Sequence, residues 1–556
     1  MLDTGANTPA PRPITQQDQR TSDTQMITDA RSVPDGTVID ADVCIVGGGA
    51  AGISLAREFV DSGHQVVLLE SGGMGPDPAT QELYSGSDIG RPYEIFPVSR
   101  FRYLGGTTNG WGGAWCDLPS DLDLEERAGF PHSGWPFSFA EVEPWYHRAH
   151  PILRLGPFGY ALSDWGIAEE DIPEAFRGPD LVCRVLQQAP TTRFGRHYAP
   201  DLRRAENLTV YLNANALNFE TDETTREVRR VNVGVIPNGR FAVSARFFVL
   251  SCGGIENARL LLLSKDSAGV GLGNGHDLVG RYFMLHLEYT GGTIKLRDPH
   301  VNLSFQTGEN GAQYRRFGAT RRFVSYIAVS EETKRRLDLP AARFRFVYPR
   351  SPELDVLWRI YHRKSAKGEF LKDLKRVLVN TPSVAIYIVR RILYGRNKPP
   401  KPLHAVPLKC TAEQVPNPHS RITLGEERDR FGLPKVVVDW QLTEADRRGI
   451  LAANGFMAAE LERTGFGTFE SAIPEGESAW PRDLRGDQHH MGTTRMHRDP
   501  KQGVVDETCR VHGVGNLYVA GSSVFPTGGT FNPTLTIIAL ALRVADKVKE
   551  RLAQGR

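Results

Sequence analysis

The strongest constraint on the fold is a glycine triplet between an apolar run and a helical pattern near the N-terminus. Residues 41–52 read ADVCIVGGGAAG, where small aliphatic residues predict a buried strand and Gly47, Gly49 and Gly52 follow at G-x-G-x-x-G spacing. A second apolar run, VVLLE, ends at Glu70, close to the distance of about 20 residues at which a ribose-binding acid follows such a turn. Strand, glycines, helix, second strand and acid together predict a Rossmann-like unit.

Each glycine of the triplet has a separate physical task. Gly47 allows the tight turn, Gly49 lets the backbone approach a pyrophosphate, and Gly52 lets the helix pack closely on the strand. The N-terminus of the helix offers unpaired N–H groups to phosphates. The predicted cofactor site therefore also takes in Ala50 and Ala51, together with Ser71 after the acid. The alternative, a glycine-rich turn in an ordinary α/β domain, is disfavoured because every contextual test of the motif is met.

Length, charge and cysteine usage bound the class of protein. A chain of 556 residues predicts two or three domains. The 67 basic and 65 acidic residues give a net charge of +2, which offers no electrostatic case for a nucleic-acid partner. Six scattered cysteines include no C-x-x-C pair, so neither a zinc site nor a redox dithiol is predicted, and we expect no metal. A reduced compartment fits this usage, and we predict a cytoplasmic location.

Two regions differ in composition from the rest of the chain, the N-terminus and a basic stretch. Residues 1–37 are polar and lack an apolar segment of signal-peptide length, which predicts a mobile lead-in. The longest apolar segment, near 377–389, is interrupted by polar residues and falls short of a membrane span. The basic stretch 359–401 is typical of a solvated helical face, and the alternative is a helix pair that docks on a membrane surface or a partner.

The order of the remaining patterns predicts a discontinuous architecture. Strand-like segments and a second strand–glycine–helix pattern, SCGGIENARLLLLS, follow the first unit, and NLYVAG with a long helical pattern from Asn532 closes the chain. Alternating segments between about 290 and 480 indicate an antiparallel sheet. We predict an α/β nucleotide-binding domain formed by residues 38–120, 190–290 and 485–556. An inserted α+β substrate-binding domain is predicted over 121–189 and 291–484.

Five segments together resemble the glucose–methanol–choline (GMC) family of flavin oxidoreductases. They are VGGGAAG with Glu70; GGTTNGWGG at 105–113; VLSCGGIENARLLL with GRYFMLH at 280–286; EQVPNPHSRITL at 413–424; and HHMGTTRM with NLYVAGSSVFPTGGTFNPTLTIIALA. The resemblance spans residues 42–545 in the family's order. It implies FAD as cofactor and a Rossmann-like domain, with an antiparallel sheet of the substrate domain facing the flavin.

The resemblance also implies the catalytic pair. The family's histidine three positions before the glycine of H-x-x-G corresponds to His489, and the partner at the start of the last helix corresponds to Asn532. An imidazole suits removal of a hydroxyl proton near neutral pH, and a carboxamide can orient the alcohol oxygen. The adjacent His490 is the rival. Since neighbouring side chains of an extended segment point to opposite faces, we expect His489 to face the flavin.

Further cofactor contacts are implied by position. The loop 105–113 is expected to lie against the flavin, with Asn109 near its reactive face, and Gly110 stands where some relatives carry a histidine that bonds FAD covalently. We therefore predict dissociable FAD. The expected cofactor residues outside the first unit are Gly105, Gly106, Thr107, Asn109, Gly110, Trp111, Gly112, Ala216, Cys252, Gly253, Gly521, Ser522, Asn532, Pro533 and Thr534.

The substrate is predicted from the motif variant and remains open between alternatives. H-x-M-G-T-T-R-M with N-P-T-L-T resembles the sugar-oxidising branch, relatives of pyranose oxidase and of bacterial sugar and glycoside dehydrogenases, so we predict oxidation of a secondary hydroxyl to a ketone. Trp111, Trp115, His132 and Trp135 would suit stacking on a sugar ring or could form core. The alternatives are a hydrophobic or sterol-like alcohol, a flavin subunit of an electron-transfer complex, and a silent homologue. The electron acceptor is oxygen, a quinone or a redox protein.

Overall fold

A computed structural model describes residues 26–93, 99–222, 224, 226–265, 269–301, 303, 305, 322–347, 403–476 and 479–555. Within these ranges the chain forms two large sheets and one small sheet. The strands are β1 Ile27–Asp29, β2 Val38–Val46, β3 Val66–Leu69, β4 Gly86–Asp88, β5 Trp115–Cys116, β6 Leu181–Gln188, β7 Leu208–Leu212, β8 Asn215–Thr221, β9 Val228–Val235, β10 Gly239–Leu250, β11 Leu287–Leu296, β12 Arg322–Val329, β13 Ala342–Phe346, β14 Ala405–Ala412, β15 Arg421–Arg428, β16 Pro434–Asp439, β17 Gly467–Ser471, β18 Arg485–Gly486 and β19 Leu517–Val519.

The described α-helices connect and cover these sheets. They are α1 Ala50–Glu58, α2 Pro78–Gln81, α3 Asp121–Leu124, α4 Phe139–Ile152, α5 Phe194–His197, α6 Ala199–Arg204, α7 Gly253–Leu263, α8 Glu331–Leu337, α9 Glu444–Arg463 and α10 Pro533–Ala553. In the part of the chain that the structure describes, no helix combines the length and apolarity that crossing a bilayer requires.

The first sheet joins both ends of the chain. Its order is β1-β7-β3-β2-β10-β9-β8, and β19 pairs with the end of β10, where Phe248 lies opposite Leu517. The central pairings are parallel, and β8 and β9 return antiparallel beside the first half of β10. The aliphatic run at the end of β2 is buried on both faces, as a central parallel strand requires. The predicted discontinuous α/β fold is confirmed.

The second sheet is antiparallel throughout, in the order β17-β11-β14-β13-β12-β6-β5, with β18 beside β11. Alternating residues such as Phe344 and Phe346 of β13 point to the buried face, and the residues between them are more exposed. A separate buried cluster covers this face. The small sheet β15-β16-β4 lies beside α7. The predicted antiparallel sheet is therefore present.

Several predicted boundaries need correction. The lead-in expected through residue 37 contains β1, whose Ile27 pairs with Val210 at the edge of the first sheet, so its described part is ordered by strand pairing. Strands β5 and β18 and the first residues of β11 were assigned to the nucleotide-binding segments but pair within the second sheet. Local composition does not reveal which distant strand supplies the hydrogen-bonding partner. The basic stretch 359–401 lies outside the described residues.

Candidate active site

A cavity of about 510 Å³ lies at the carboxyl ends of the central parallel strands. Open α/β sheets bind ligands at this edge, because the loops that follow the strands diverge there. Its lining comes from the turn after β2, the end of β3, the loop before β5, the start of β8, the turn after β10, the segment 488–490, the turn after β19 and the start of α10. Residues far apart in the sequence therefore converge on one site.

The turn between β2 and α1 is a close-packed backbone cradle. Gly47 has φ +108°, and a Cβ atom there would lie 2.7 Å from the carbonyl oxygen of Ser251. A Cβ atom at Gly52 would lie 1.9 Å from the carbonyl oxygen of Gly47, so α1 packs on the turn only with glycine at this position. Gly49 has no atom within 4 Å of its Cβ position and lines the cavity. Gly47 and Gly52 are therefore required by close packing, and Gly49 leaves open space on the cavity side.

Glu70 lies at the end of β3 and lines the same cavity. It is only 5% exposed, and its two carboxylate oxygens accept the backbone N–H groups of Gly48 and Gly72, each at 2.9 Å. Burial raises the pKa of Glu70, and the two backbone donors and the charge of Arg102 oppose that rise. Oε1 also accepts from the hydroxyl of Ser71 at 3.3 Å, whereas Oε2 keeps a further lone pair that can accept a hydroxyl hydrogen bond.

A buried arginine in the cavity was missed by the sequence reasoning. Arg102 lines the cavity and pairs with Glu256 at 3.5 Å, and its guanidinium carbon lies 4.7 Å from the ring centre of Tyr84. Nε and Nη1 of Arg102 are buried without a hydrogen-bond partner among the described residues. Unsatisfied buried donors are costly, so an anionic ligand in the cavity would relieve them. The residues RFR just before the glycine loop were the available signal.

The glycine cradle, Glu70 and Arg102 fit a dinucleotide cofactor. The N-terminus of α1 opens into the cavity beside Ala50, where backbone N–H groups favour phosphate. Arg102 provides two N–H donors without a hydrogen-bond partner beside the same cavity, and Glu70 provides acceptors suited to a ribose. The donor set is therefore right for FAD.

The loop 105–113 is stabilised partly by its own side chains. Gly105 and Gly106 have φ values of +97° and +52°, and Asn109 Nδ2 donates to the carbonyl oxygens of Leu104 at 2.9 Å and of Gly106 at 3.0 Å. Asn109 does not line the cavity, although it was predicted near the reactive face. Both of its recorded bonds close the loop on itself, so its observed contribution is to loop conformation.

Most, but not all, of the predicted cofactor residues line this cavity. Those that do are Gly47, Gly49, Ala50, Ala51, Glu70, Ser71, Gly106, Thr107, Gly110, Trp111, Ala216, Cys252, Gly253, Gly521, Ser522, Pro533 and Thr534. Gly52, Gly105, Asn109, Gly112 and Asn532 lie outside the lining. Gly52 and Gly105 are instead packed against backbone, since their Cβ positions meet Gly47 and Gly195.

The two adjacent histidines have different environments. Both histidines line the cavity, but His489 is partly exposed, with 28% of its side chain accessible. His490 is buried, and its Nε2 lies 2.9 Å from the hydroxyl of Tyr93. Burial, together with a smaller effect of the charge of Arg100, lowers the pKa of His490 to about 3. His490 therefore stays neutral at ordinary pH, and its ring packs face to face with Phe283.

His489 belongs to a cluster that the sequence reasoning did not assemble. Its Nδ1 contacts Oδ2 of Asp487 and lies 2.9 Å from Nδ1 of His286. Asp487 is two positions away in the chain, whereas His286 comes from the segment just before β11. Burial opposes ionisation of Asp487, but the two histidines hold the pKa of this carboxyl far below its usual range. GRYFMLH contained the only sequence signal for His286.

Asn532 is held at the N-terminus of α10 by a second polar cluster. Its Oδ1 accepts from Nη2 of Arg343 at 2.6 Å, and its backbone N–H donates to Asp117 at 2.8 Å. Arg343 also pairs with Asp117 at 3.3 Å, and Tyr326 donates to the same carboxylate. Burial raises the pKa of Asp117, and the charge of Arg343 opposes the rise. The antiparallel sheet thus fixes the carboxamide of Asn532.

The aromatic residues expected at a substrate mouth separate into two groups. Trp111 lines the cavity. Trp135 is buried in the core and donates from Nε1 to Thr527 at 2.8 Å, and Trp115 packs against a small cluster on the second sheet. His132 lies near Tyr282, 3.4 Å from its hydroxyl. Trp135 therefore forms part of the core rather than a sugar-stacking surface, because its indole N–H has a buried hydrogen-bond partner there.

The amino-acid sequence is similar to those of several known proteins. Residues 416–541 match the family described as GMC oxidoreductase. The large subunit of fructose dehydrogenase from Gluconobacter japonicus is 25% identical over 93% of this chain and 99% of that protein. Paromamine 6'-oxidase from Streptomyces fradiae is 26% identical over 91% of each chain. C-glycoside 3-oxidase from Arthrobacter globiformis is 34% identical over 23% of each.

Solved structures share the fold. Formate oxidase from Aspergillus oryzae superimposes with a TM-score of 0.54 at 17% identity, covering 94% of this chain and all of that one. Pyridoxine 4-oxidase from Mesorbium loti gives a TM-score of 0.52 at 18% identity, covering 91% and 98%.

A Rossmann-like domain and an antiparallel domain around one cavity, together with the match to a GMC oxidoreductase domain, define a class of two-domain oxidoreductases. Within that class, residues 416–541 form a GMC oxidoreductase domain, and the relatives that cover most of the chain are oxidoreductases that act on CH–OH groups.

Proposed function

We propose that the protein oxidises a secondary hydroxyl of a sugar or glycoside to a ketone, with FAD as hydride acceptor and His489 as general base. The observation that carries this proposal is the position of His489, which lines the nucleotide cavity while Asp487 holds its Nδ1. Relatives that cover almost the whole chain are named for fructose and paromamine oxidation, which supports a carbohydrate substrate. A relative matched over a shorter region is named for oxidation of glycosides.

The cofactor is proposed to lie along the cavity from Glu70 to the start of α10. Glu70 would accept from the ribose, while the N-terminus of α1 and the unsatisfied donors of Arg102 would hold the pyrophosphate. Pro533 and Thr534 begin a helix of 21 residues, whose positive end faces the cavity and favours negative charge there. Gly110 offers no side chain for a covalent link, so FAD is proposed to be dissociable.

His489, Asp487 and Asn532 are proposed to have different roles in oxidation of the alcohol. When bound, FAD supplies the acceptor for the hydride that leaves the carbinol carbon. Nε2 of His489 takes the hydroxyl proton, and the carboxylate of Asp487 stabilises the imidazolium that results. Oδ1 of Asn532 is engaged by Arg343, which leaves Nδ2 to donate to the alcohol oxygen. The alcohol thus loses one proton and one hydride and becomes a ketone.

Purified yellow protein can test the substrate class directly. Anaerobic addition of sugars and glycosides should bleach the flavin, and long-chain alcohols or sterols should not. Bleaching by the apolar alcohols alone would reject the carbohydrate proposal. No bleaching by any alcohol of a broad panel would support a catalytically silent protein.

His489→Ala tests the base. Loss of general-base catalysis costs about 10²–10⁴-fold in rate, so the variant should reduce its flavin slower by that factor with a saturating substrate. FAD content should stay unchanged, because the cofactor contacts proposed above do not depend on this imidazole. Flavin content from the absorbance ratio and the reduction rate from stopped-flow spectroscopy check both points. Reduction at the normal rate would remove His489 from the role of base.

The electron acceptor is a separate question with its own test. The similarity to a protein named as the large subunit of a dehydrogenase supports a redox partner as acceptor, although paromamine 6'-oxidase and C-glycoside 3-oxidase are named oxidases. We propose comparing reoxidation of the reduced flavin by oxygen, by a quinone and by a haem protein. Fast reoxidation by oxygen would identify an oxidase, whereas slow reaction with oxygen and fast reaction with another acceptor would identify a dehydrogenase.

A further inference from the structure

We infer that His286 and Asp487 are positioning residues that hold His489 in the Nδ1–H tautomer and leave its Nε2 ready to accept a proton. The inference rests on the proposed function, because it deepens the role given there to His489. It is carried by the three side chains meeting at one point. One imidazole nitrogen of His286, one carboxylate oxygen of Asp487 and one imidazole nitrogen of His489 all lie within 4.8 Å of one another.

The first step concerns the tautomer of His286. Its Nε2 lies 3.2 Å from the carbonyl oxygen of Gly528. A carbonyl oxygen can only accept, so Nε2 of His286 must carry the proton. In the neutral ring Nδ1 is then a lone-pair acceptor. Nδ1 of His286 lies 3.6 Å from Oδ2 of Asp487, which is too far for a hydrogen bond, so its near polar neighbour is Nδ1 of His489.

The second step carries this constraint to His489. Its Nδ1 faces Oδ2 of Asp487 and, at 2.9 Å, Nδ1 of His286. A carboxylate is acceptor-only, and His286 presents a lone pair, so both neighbours require a proton on Nδ1 of His489. Nε2 of His489 is therefore unprotonated in the neutral ring. No described residue is recorded as bonding to this nitrogen, which leaves it available to a ligand.

The carboxylate that fixes this tautomer is itself fixed. Oδ1 of Asp487 accepts the backbone N–H of His489 at 2.8 Å and that of His286 at 3.3 Å. The two chain segments are joined nearby by reciprocal backbone bonds between Met284 and Met491, each at 3.0 Å. One oxygen thus secures the backbone and the other receives the imidazole proton, so the base needs little reorganisation before it reacts.

The decisive variant is Asp487→Asn. The Asn amide can still accept the backbone N–H groups through Oδ1, but it places an NH₂ donor against Nδ1 of His489. The donor favours the opposite tautomer, with the proton on Nε2, where it blocks base catalysis. In a serine protease the corresponding Asp to Asn change lowers kcat by about 10⁴ for this reason, so we expect flavin reduction to fall by roughly 10³-fold or more.

The variants at His286 separate positioning from packing. In His286→Asn the side-chain oxygen can take the place of Nδ1 and accept from His489, whereas His286→Leu keeps bulk but offers no acceptor. We expect the Leu variant to reduce its flavin about tenfold more slowly, in line with loss of one hydrogen bond of about 1.4 kcal/mol. The Asn variant should stay near the wild-type rate. Equal rates in the Asn and Leu variants would refute the role of His286.

A readout independent of turnover completes the test. Nitrogen-15 NMR of histidine-labelled holoenzyme, assigned by comparison with His489→Ala, should show the His489 signal with Nδ1 protonated and Nε2 unprotonated. In Asp487→Asn the spectrum should instead show Nε2 of His489 protonated and Nδ1 unprotonated. An Nε2–H tautomer in the wild-type protein would overturn the inference even if His489 is the base. Normal flavin reduction in His489→Ala would instead overturn the proposed function, so the two failures are distinguishable.

Discussion

The two ends of the nucleotide cavity are built in different ways. At the Glu70 end, a short continuous segment supplies backbone groups and one carboxylate, all within residues 47–72. At the histidine end, side chains converge from the residue after β5, the segment before β11, strand β13 and residues 487–532. The first end depends on how closely backbones can approach, and the second depends on which side chains meet across domains.

The difference determines how each end responds to mutation. Backbone packing at Gly47 and Gly52 leaves no room for even one methyl group, so a small substitution at either position should remove the cofactor. Side chains at the histidine end can be replaced without moving the backbone, so substitutions there should slow the reaction and leave the cofactor bound. Loss of FAD and loss of rate should thus separate along the cavity.

Gly52→Ala should produce the largest effect at the Glu70 end. The added Cβ would lie 1.9 Å from the carbonyl oxygen of Gly47, far inside contact distance, so the turn must move. Overpacking in a closed site costs about 1–3 kcal/mol or more. We expect purified protein without FAD, together with a lower Tm in differential scanning fluorimetry.

Gly455→Ala is the matched control for this prediction. Gly455 is also inside an α-helix, but no atom lies within 4 Å of its Cβ position and it is exposed. Replacing an exposed helical glycine by alanine stabilises by about 0.5–1 kcal/mol, so FAD should be retained and Tm should rise slightly. Full FAD content in Gly52→Ala would break the contrast between the two ends.

Glu70→Gln should have a smaller effect confined to the cofactor. Both carboxylate oxygens accept backbone N–H groups, and the amide can satisfy only one of them. A hydrogen bond to a charged group contributes about 1.5–3 kcal/mol, so the Kd for FAD should rise by about ten- to a hundredfold. The reduction rate of the bound flavin should not change.

Fluorescence titration of apoprotein with FAD measures the affinity of the Glu70→Gln variant. The exposed Glu206, replaced by Gln in the same way, provides the control. A reduction rate that falls while the FAD affinity stays normal would show that Glu70 acts at the histidine end instead.

The same division explains what the sequence could predict. The Rossmann-like unit was predictable because its signal lies within about thirty residues and each glycine has a local steric reason. The antiparallel sheet was predictable as a type, from alternating residues. Its membership was not, since β5 and β18 pair with strands far away in the sequence. The predicted domain boundaries were therefore wrong where pairing between distant strands, rather than local propensity, decides the structure.

The candidate site was predictable to a similar extent. His489 and Asn532 followed from a family resemblance, but their supports did not. His286, Arg343 and Arg102 are ordinary polar residues in apolar or basic surroundings, and only the tertiary fold brings them to the cavity or to its neighbours. Asn109 is the opposite case. The family resemblance predicted it near the reactive face, but its side chain forms hydrogen bonds within its own loop, which the resemblance did not predict.

The effect of His490→Gln should be smallest at neutral pH and grow in acid. The hydroxyl of Tyr93 donates to the carbonyl oxygen of Asp487 at 2.7 Å, so it accepts from Nε2–H of His490, a bond that the Gln amide can also make. The pKa of His490 is lowered from its ordinary 6.5 to about 3, mainly by burial. The unfolded state therefore binds an extra proton between these values, and the wild type loses stability as pH falls through this window. At pH 5 the loss is about 2 kcal/mol.

Gln does not titrate, so the variant should avoid this share of the loss, and its denaturant midpoint should depend less on pH than that of the wild type. Its rate of flavin reduction should remain normal at pH 7. A variant that keeps the acid sensitivity but loses flavin reduction would show that His490, rather than His489, is the residue that works at the histidine end.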